Sequence, residues 1–217
     1  ALDSAGMTDN TRVIYASDHG ENAGARGLWG KSVLYEESTG IPLIMSGPDI
    51  ATGAECKTPV SLVDMRPTIV AAAGLEARDQ PVDLPGRSLF DIAATPDDPD
   101  RIAFSEYHAS ASPSGGFMLR KGRYKFNYYV GYRPELFDLA DDPEEIHDLA
   151  EDPAFASVCT EYEALLRAIV DPEAADRQAK DDQNAIVAFH GGREKVLRDK
   201  LGAHSYTPVP GEVTKSL

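Results

Sequence analysis

The run Thr11-Arg12-Val13-Ile14-Tyr15-Ala16-Ser17, followed at once by Asp18-His19-Gly20, decides how this chain is read. Its β-branched and aromatic residues lie between Asn10 and a glycine-bearing loop, the pattern of a short strand that gives way to a loop. The uninterrupted apolar character predicts a strand buried on both faces. A second run, Ile41 to Ser46 (IPLIMS), ends at Gly47-Pro48. From Asp64 to Ala73 the signals are helical: Asp64 as a cap, Pro67 in the tolerated first turn and Gly74 after the last apolar residue. Strand, loop, strand and helix together imply part of an α/β sheet with flanking helices.

Downstream, Gln80 to Asp100 is rich in Pro and Asp and predicts a surface connection. Strands are expected at Ile102–Tyr107, Phe117–Arg120, Tyr124–Tyr129 and Glu135–Leu139, with a hairpin turning at Lys121-Gly122-Arg123. They form a small antiparallel unit. Asp141 to Glu145 reads as a turn and a helix start, because acids suit the positive end of a helix dipole. Beyond Asp152 and Pro153, the residues Tyr162, Leu165, Leu166, Ile169 and Val170 recur at helical spacing. Two weaker helices are expected to end near Gly191 and Gly202, before a surface arm holding Pro208, Pro210 and Gly211. The chain therefore divides into an α/β part (1–100), an antiparallel β subdomain (101–152) and a helical tail (153–217).

Composition narrows the partners. With 36 acidic against 21 basic residues the formal net charge is −15, so no nucleic-acid partner is expected, since affinity for phosphate backbones comes from Lys and Arg. An anionic substrate needs a local nest of positive charge within so acidic a protein. No apolar run approaches membrane-spanning length, and no membrane partner is expected. Cys56 and Cys159 lie in no Cys-x-x-Cys arrangement. Ala1 to Gly6 reads as the last turn of a helix closed by glycine; without an initiating Met, the chain is expected to continue upstream. Cytoplasmic and periplasmic locations both stay open.

Asp18 and His19 stand at the carboxyl end of the first strand, where open α/β sheets bind their ligands. Adjacent carboxylate and imidazole groups can reach one divalent ion facing a cleft; the mixed O/N set suits Mn, Zn or Fe, and Ca less readily. Alone, the pair reads first as a loop Asp beside a solvated His, and Asp-His-Gly by itself is a weak signal. Lys31 follows the glycine-dense loop Gly24-Ala25-Arg26-Gly27-Leu28-Trp29-Gly30, which lets backbone approach a ligand closely. Its ammonium is a compact charge suited to an oxyanion. Glu106 and His108 end a strand and are candidates to face a substrate. His147, His190 and His204 read as surface residues.

The stretch Thr11 to Pro48 (TRVIYASDHGENAGARGLWGKSVLYEESTGIPLIMSGP) resembles the segment of type I sulfatases that carries two metal ligands and an active-site lysine. The resemblance extends to the related phosphonate monoester hydrolases, all within the alkaline-phosphatase superfamily. Asp18, His19 and Lys31 occupy the three positions. A His rather than Asn at residue 19, twelve residues before Lys31, is similar to the choline-sulfatase and phosphonate monoester hydrolase branch. SLVDMRPTIVAAAGL and GRSL resemble the helix and loop that follow in those enzymes; KGRYKF with ELFDLADDPEEIHDLAEDP resembles their C-terminal subdomain.

The resemblance implies that this chain is the C-terminal part of a metal-dependent sulfuric ester hydrolase with an alkaline-phosphatase-like mixed sheet. It implies one divalent ion, Ca or Mn, held partly by Asp18 and His19, with Lys31 on the sulfate oxygens and Glu106 and His108 near the substrate. The formylglycine nucleophile, made from Cys or Ser in a Cys/Ser-x-Pro/Ala-x-Arg motif, and two further Asp ligands are expected upstream, because neither Cys56 nor Cys159 stands in that motif. A small-molecule sulfate ester, an inactive isolated chain and a homo-oligomeric whole enzyme are also implied. Phosphonate monoester or phosphodiester hydrolysis at the same site is an alternative, as is an inactive binding or assembly module built on the helical tail.

Overall fold

The structure, a computed structural model, describes residues 1–75, 85–109 and 112–200. It divides into two compact units, Ala1–Glu173 and Ala174–Leu217. Residues 80–84 of the anticipated connection, Gly202, His204 and the arm with Pro208, Pro210 and Gly211 lie outside the described residues.

The first unit opens on a 3-10 turn, Asp3–Ala5, closed by Gly6 in the left-handed region at φ 65°. Strand β1 (Val13–Ala16) then pairs antiparallel with β2 (Leu43–Ser46), in the register Tyr15↔Ile44. The expected two-sided burial of β1 is not found. Val13 and Tyr15 are 47% and 61% exposed and Ile44 62%, because β2 is the only strand that pairs with β1 among the described residues. Helix α1 (Glu36–Thr39), which no sequence signal announced, precedes β2.

Helix α2 (Met65–Ala72) follows a 3-10 turn, Leu62–Asp64. Its capping differs from expectation: Ser61 is the cap and Asp64 the reciprocal third residue of a capping box. Asp64 is fully buried, and its carboxylate accepts from the Ser61 N–H at 2.9 Å, the Arg87 N–H at 2.9 Å and the Arg101 guanidinium at 2.7 Å. The Thr68 hydroxyl donates to the Asp64 carbonyl and accepts from the Leu89 N–H, at 2.6 and 2.8 Å. Within the segment read as a plain surface connection lies helix α3 (Leu89–Ala93), whose Leu89 and Ile92 are buried. These apolar side chains outweigh the local Pro and Asp content.

Strands β3 (Ile102–Tyr107), β4 (Gly116–Lys121), β5 (Tyr124–Tyr129) and β6 (Glu135–Asp138) form a four-stranded antiparallel meander. The register lines up Phe104, Leu119, Phe126 and Leu136 in one row across the sheet. Helix α4 (Ala156–Ile169) covers that face with Tyr162 and Leu166, both buried. Asp152 caps the preceding turn through the Ala154 N–H, and the Tyr162 hydroxyl donates to the Lys121 carbonyl at 2.6 Å. Burying such a row stabilises by about 1.5–3 kcal/mol per large apolar side chain. The Asp141 to Glu145 segment forms turns without a helix start, and Glu145 is a buried residue at φ 50°.

Helix α5 (Pro172–Phe189) starts in the last two residues of the first unit; in the second unit it and helix α6 (Arg193–Lys200) carry i,i+4 ion pairs, Lys180–Asp176 and Lys195–Asp199. Among the described residues no helix is long and apolar enough to cross a membrane.

Candidate functional site

The chain leaves β1 at Ala16 and turns through Ser17, whose hydroxyl donates to the His19 carbonyl at 2.6 Å. This brings Asp18 and His19 out side by side, with Asp18 Oδ2 3.4 Å from His19 Nε2. On the other edge of the ring, His19 Nδ1 lies 2.7 Å from the Gly20 carbonyl. A carbonyl only accepts, so Nδ1 carries the proton and Nε2 keeps its lone pair. The Lys31 ammonium donates to Nε2. His19 therefore touches both its neighbour Asp18 and Lys31, twelve positions on.

Their convergence is set by α1. Gly20 N–H donates to the Ser38 carbonyl at 2.9 Å, and a Cβ on Gly20 would stand 2.0 Å from the Glu37 carbonyl oxygen. Only glycine lets the chain lie this close. Asn22, 3% exposed, donates through its side chain to Ser38 Oγ at 3.1 Å and to the Gly30 carbonyl. The Glu21 carboxylate accepts from the Gly30 N–H at 2.5 Å, closing the loop that delivers Lys31.

The donor set fits one arm of a divalent-metal site: a carboxylate, and an imidazole whose outer N–H is anchored by a carbonyl, the usual second-layer arrangement of a metal-ligating His. Two such donors do not make a whole site. Among the described residues no group of three or more His, Cys, Asp or Glu side chains is placed to hold an ion. The side chain of Asp18 is 82% exposed and that of His19 36%. Neither of the two cavities described next is lined by Asp18, His19 or Lys31.

Glu106 and His108 lie together at the end of β3, with Glu106 Oε2 3.6 Å from His108 Nε2. The His108 ring stands edge-on to Phe117 at 5.2 Å. Their strand reaches the loop of Lys31: the Tyr107 hydroxyl donates to Ser32 Oγ at 2.9 Å, beside Lys31. Ser32 also lines a cavity of about 300 Å³ walled by Val33, Ser112, Ser114, Tyr129 and Tyr132. Burial, then the Glu135 carboxylate, push the Tyr129 hydroxyl far above its ordinary range, so it stays a donor, bonded to Glu135 at 3.2 Å. A larger cavity, about 850 Å³, separates the β1–β2 pair from β3 and β4.

Sequence reasoning missed Asn22, Arg26, Glu36, Lys125 and Glu145. The glycines of the loop hinted at Asn22 and Arg26, and Lys125 and Glu145 fall within KGRYKF and ELFDLADDPEEIHDLAEDP, the stretches that carry the resemblance; no local pattern marks Glu36.

Residues 24–171 match the family described as N-sulphoglucosamine sulphohydrolase, C-terminal. Arylsulfatase K of Danio rerio is 34% identical over 179 residues, 79% of this chain and 33% of that protein. Choline-sulfatase of Rhizobium meliloti is 35% identical over 140 residues, 64% of this chain and 27% of that protein. The chain thus spans about a third or less of the length of the curated relatives it matches. In three dimensions it is similar to the phosphonate monoester hydrolase of Agrobacterium radiobacter, with a TM-score of 0.64 and 26% identity over 77% of this chain and 36% of that one.

Proposed function

Because this chain belongs to the sulfatases, within the family of their C-terminal domains, we propose that it supplies one half of a sulfate-ester hydrolase site. In this reading Asp18 and His19 are two ligands of a divalent ion, Ca or Mn, and Lys31 holds the sulfate oxygens. A formylglycine nucleophile and further carboxylate ligands come from polypeptide outside this chain, so the chain by itself does not turn over substrate. The observation that carries the reading is that His19 stands beside Asp18, has Nδ1 anchored on the Gly20 carbonyl and meets Lys31 through Nε2.

The work of these residues is charge placement. A bound divalent ion polarises the sulfate oxygens. Lys31 is aimed at the negative charge that develops on them, and a fixed cation there costs no reorganisation during the reaction. The alcohol part of the ester lies toward the end of β3, with Glu106, His108 and the Tyr129–Tyr132 cavity as its surroundings. The exposed face of Val13, Tyr15 and Ile44 is where the rest of a catalytic sheet packs.

The likeness to a phosphonate monoester hydrolase supports a second reading, in which the same site cleaves phosphonate monoesters or phosphodiesters. Sulfate and phosphoryl groups are both tetrahedral anions, and Lys31 serves either. Rates on 4-nitrophenyl sulfate, a phenyl phosphonate monoester and a phosphodiester, measured with the full-length protein and its Lys31→Ala variant, decide between them. The sulfate should be preferred and should lose most in the variant. No sulfate turnover, with phosphonate turnover that depends on Lys31, refutes the first reading and establishes the second.

A further inference from the structure

Resting on the site assignment just made, we propose that Arg26, Glu145 and Lys125 form a positioning device that clamps the loop carrying His19 and Lys31 onto the antiparallel sheet.

Lys125 lies on the face of β5 opposite the Phe126 row, and its side chain is fully buried. Its ammonium is 2.8 Å from Glu145 Oε1 and donates to Glu36 Oε1 at 2.9 Å and Thr39 Oγ1 at 3.1 Å. The other oxygen of Glu145 accepts from the Glu36 backbone N–H at 2.7 Å. The first and last residues of α1 are thereby fixed to the sheet and to the 142–148 segment. From the other side, Arg26 donates to the carbonyls of Glu144 and Glu145 and lies 3.3 Å from Glu37 Oε2, with its guanidinium 4.3 Å from the centre of the Tyr35 ring. Helix α1 then holds the site loop through Ser38, which binds Gly20 and Asn22.

Two features set this cluster apart from a stabilising ion pair. Arg26 and Glu145 both sit in the left-handed region, at φ 54° and 50°. Non-glycine residues there cost energy and persist where the surroundings over-determine them, often at functional sites. Second, burial pushes the Glu145 carboxyl above the usual carboxylate range although Lys125 pulls it down. A buried pair of this kind is a poor source of net stability, since desolvation offsets the attraction. What it supplies is geometry: each polar atom named has one direction, and the sum fixes α1 relative to β5.

The test uses the full-length protein with Arg26→Ala, Arg26→Lys and the double variant Lys125→Met/Glu145→Gln. Readouts are thermal melting, amide hydrogen exchange at Gly20 and Asn22 against the β3–β6 amides, and kcat and KM on 4-nitrophenyl sulfate. Arg26→Ala should retain the melt, speed exchange at Gly20 and Asn22 by about tenfold, and lower kcat by about 10–100-fold, the scale of a small misplacement of catalytic groups. Arg26→Lys should not rescue, because one ammonium cannot reproduce the fork onto two carbonyls. The double variant should give the same local loosening. Unchanged exchange at Gly20 and Asn22 overturns the proposal, as does global unfolding of Arg26→Ala, which would make Arg26 a residue of the fold alone. Faster exchange in a protein without sulfate turnover upholds the clamp and refutes the sulfatase reading instead.

Discussion

Replacing Asp64 by alanine tests the packing that joins α2, α3 and β3. Its carboxylate ties together three places: Ser61 at the start of α2, Arg87 before α3, and Arg101 at the start of β3. All of these partners sit around an acceptor with no exposed surface, and the Arg101 side chain is only 18% exposed. The change removes three charge-assisted hydrogen bonds and leaves two N–H groups and the Arg101 Nη2 without this acceptor, while Arg101 Nη1 keeps the Pro59 carbonyl. An orphaned buried donor costs about 1–3 kcal/mol, and breaking a buried ion pair from one side about 3–5 kcal/mol. Arg101 recovers some solvation, so the expected loss is about 3–5 kcal/mol, a large share of the ~5–15 kcal/mol that holds most domains folded. Urea unfolding reads it as a lower midpoint at unchanged slope. Asp64→Asn should lose nearly as much, because its amide has one oxygen for three donors and turns its NH₂ toward another N–H. As a control, Glu161→Ala removes an exposed contact to Lys121 and should change stability by less than about 0.5 kcal/mol. If Asp64→Ala costs under about 1 kcal/mol, Asp64 is not the knot described here.

Other expected outcomes follow from the same geometry. Lys31→Ala should lower kcat on a sulfate ester by about 10²–10³-fold with an unchanged melt, as for loss of a donor aimed at developing charge; equal turnover contradicts its role. Gly20→Ala places a Cβ against the Glu37 carbonyl and should reduce turnover by at least about tenfold by moving His19; wild-type rates would show that the close approach is dispensable. Arg167, and then the Tyr128 hydroxyl, hold the Glu173 carboxyl down at about 2. Its folded pKa lies below the unfolded one, so its contribution is present above the ordinary carboxylate pKa and is lost as pH falls toward about 2. Glu173→Gln should flatten that acid limb of the melting curve; an identical pH profile in the variant removes the pair from the account.

Strand–loop placement was legible where local pattern and final environment agree. The four antiparallel strands follow from alternating apolar residues and the Lys121-Gly122-Arg123 turn, and α4 from Tyr162 and Leu166 at helical spacing. The trio at the site was legible as residue types at a strand end and a glycine loop. What stayed hidden depends on contacts remote in sequence. In Tyr124-Lys125-Phe126-Asn127 the alternation assigns Lys125 and Asn127 to a solvent face, yet both are fully buried, because α1 and the 142–148 segment cover that face. Helix α1 has four residues and no apolar stripe; it forms because Glu145 caps its first N–H from more than a hundred positions away. Helix α3 was obscured by flanking Pro and Asp, although Leu89 and Ile92 bury well. The exposed face of β1 has the opposite origin: its apolar run announces a covering layer that the described residues do not provide.

The central claim is that Asp18 and His19 are metal ligands, and metal content tests it most directly. The full-length protein, purified without chelator and measured by mass spectrometry of its elements, should carry about one divalent ion per chain, lost in Asp18→Ala and in His19→Ala but retained in Lys31→Ala. Equal metal content in all four proteins, or none in the wild type under conditions that give full sulfate turnover, would contradict it.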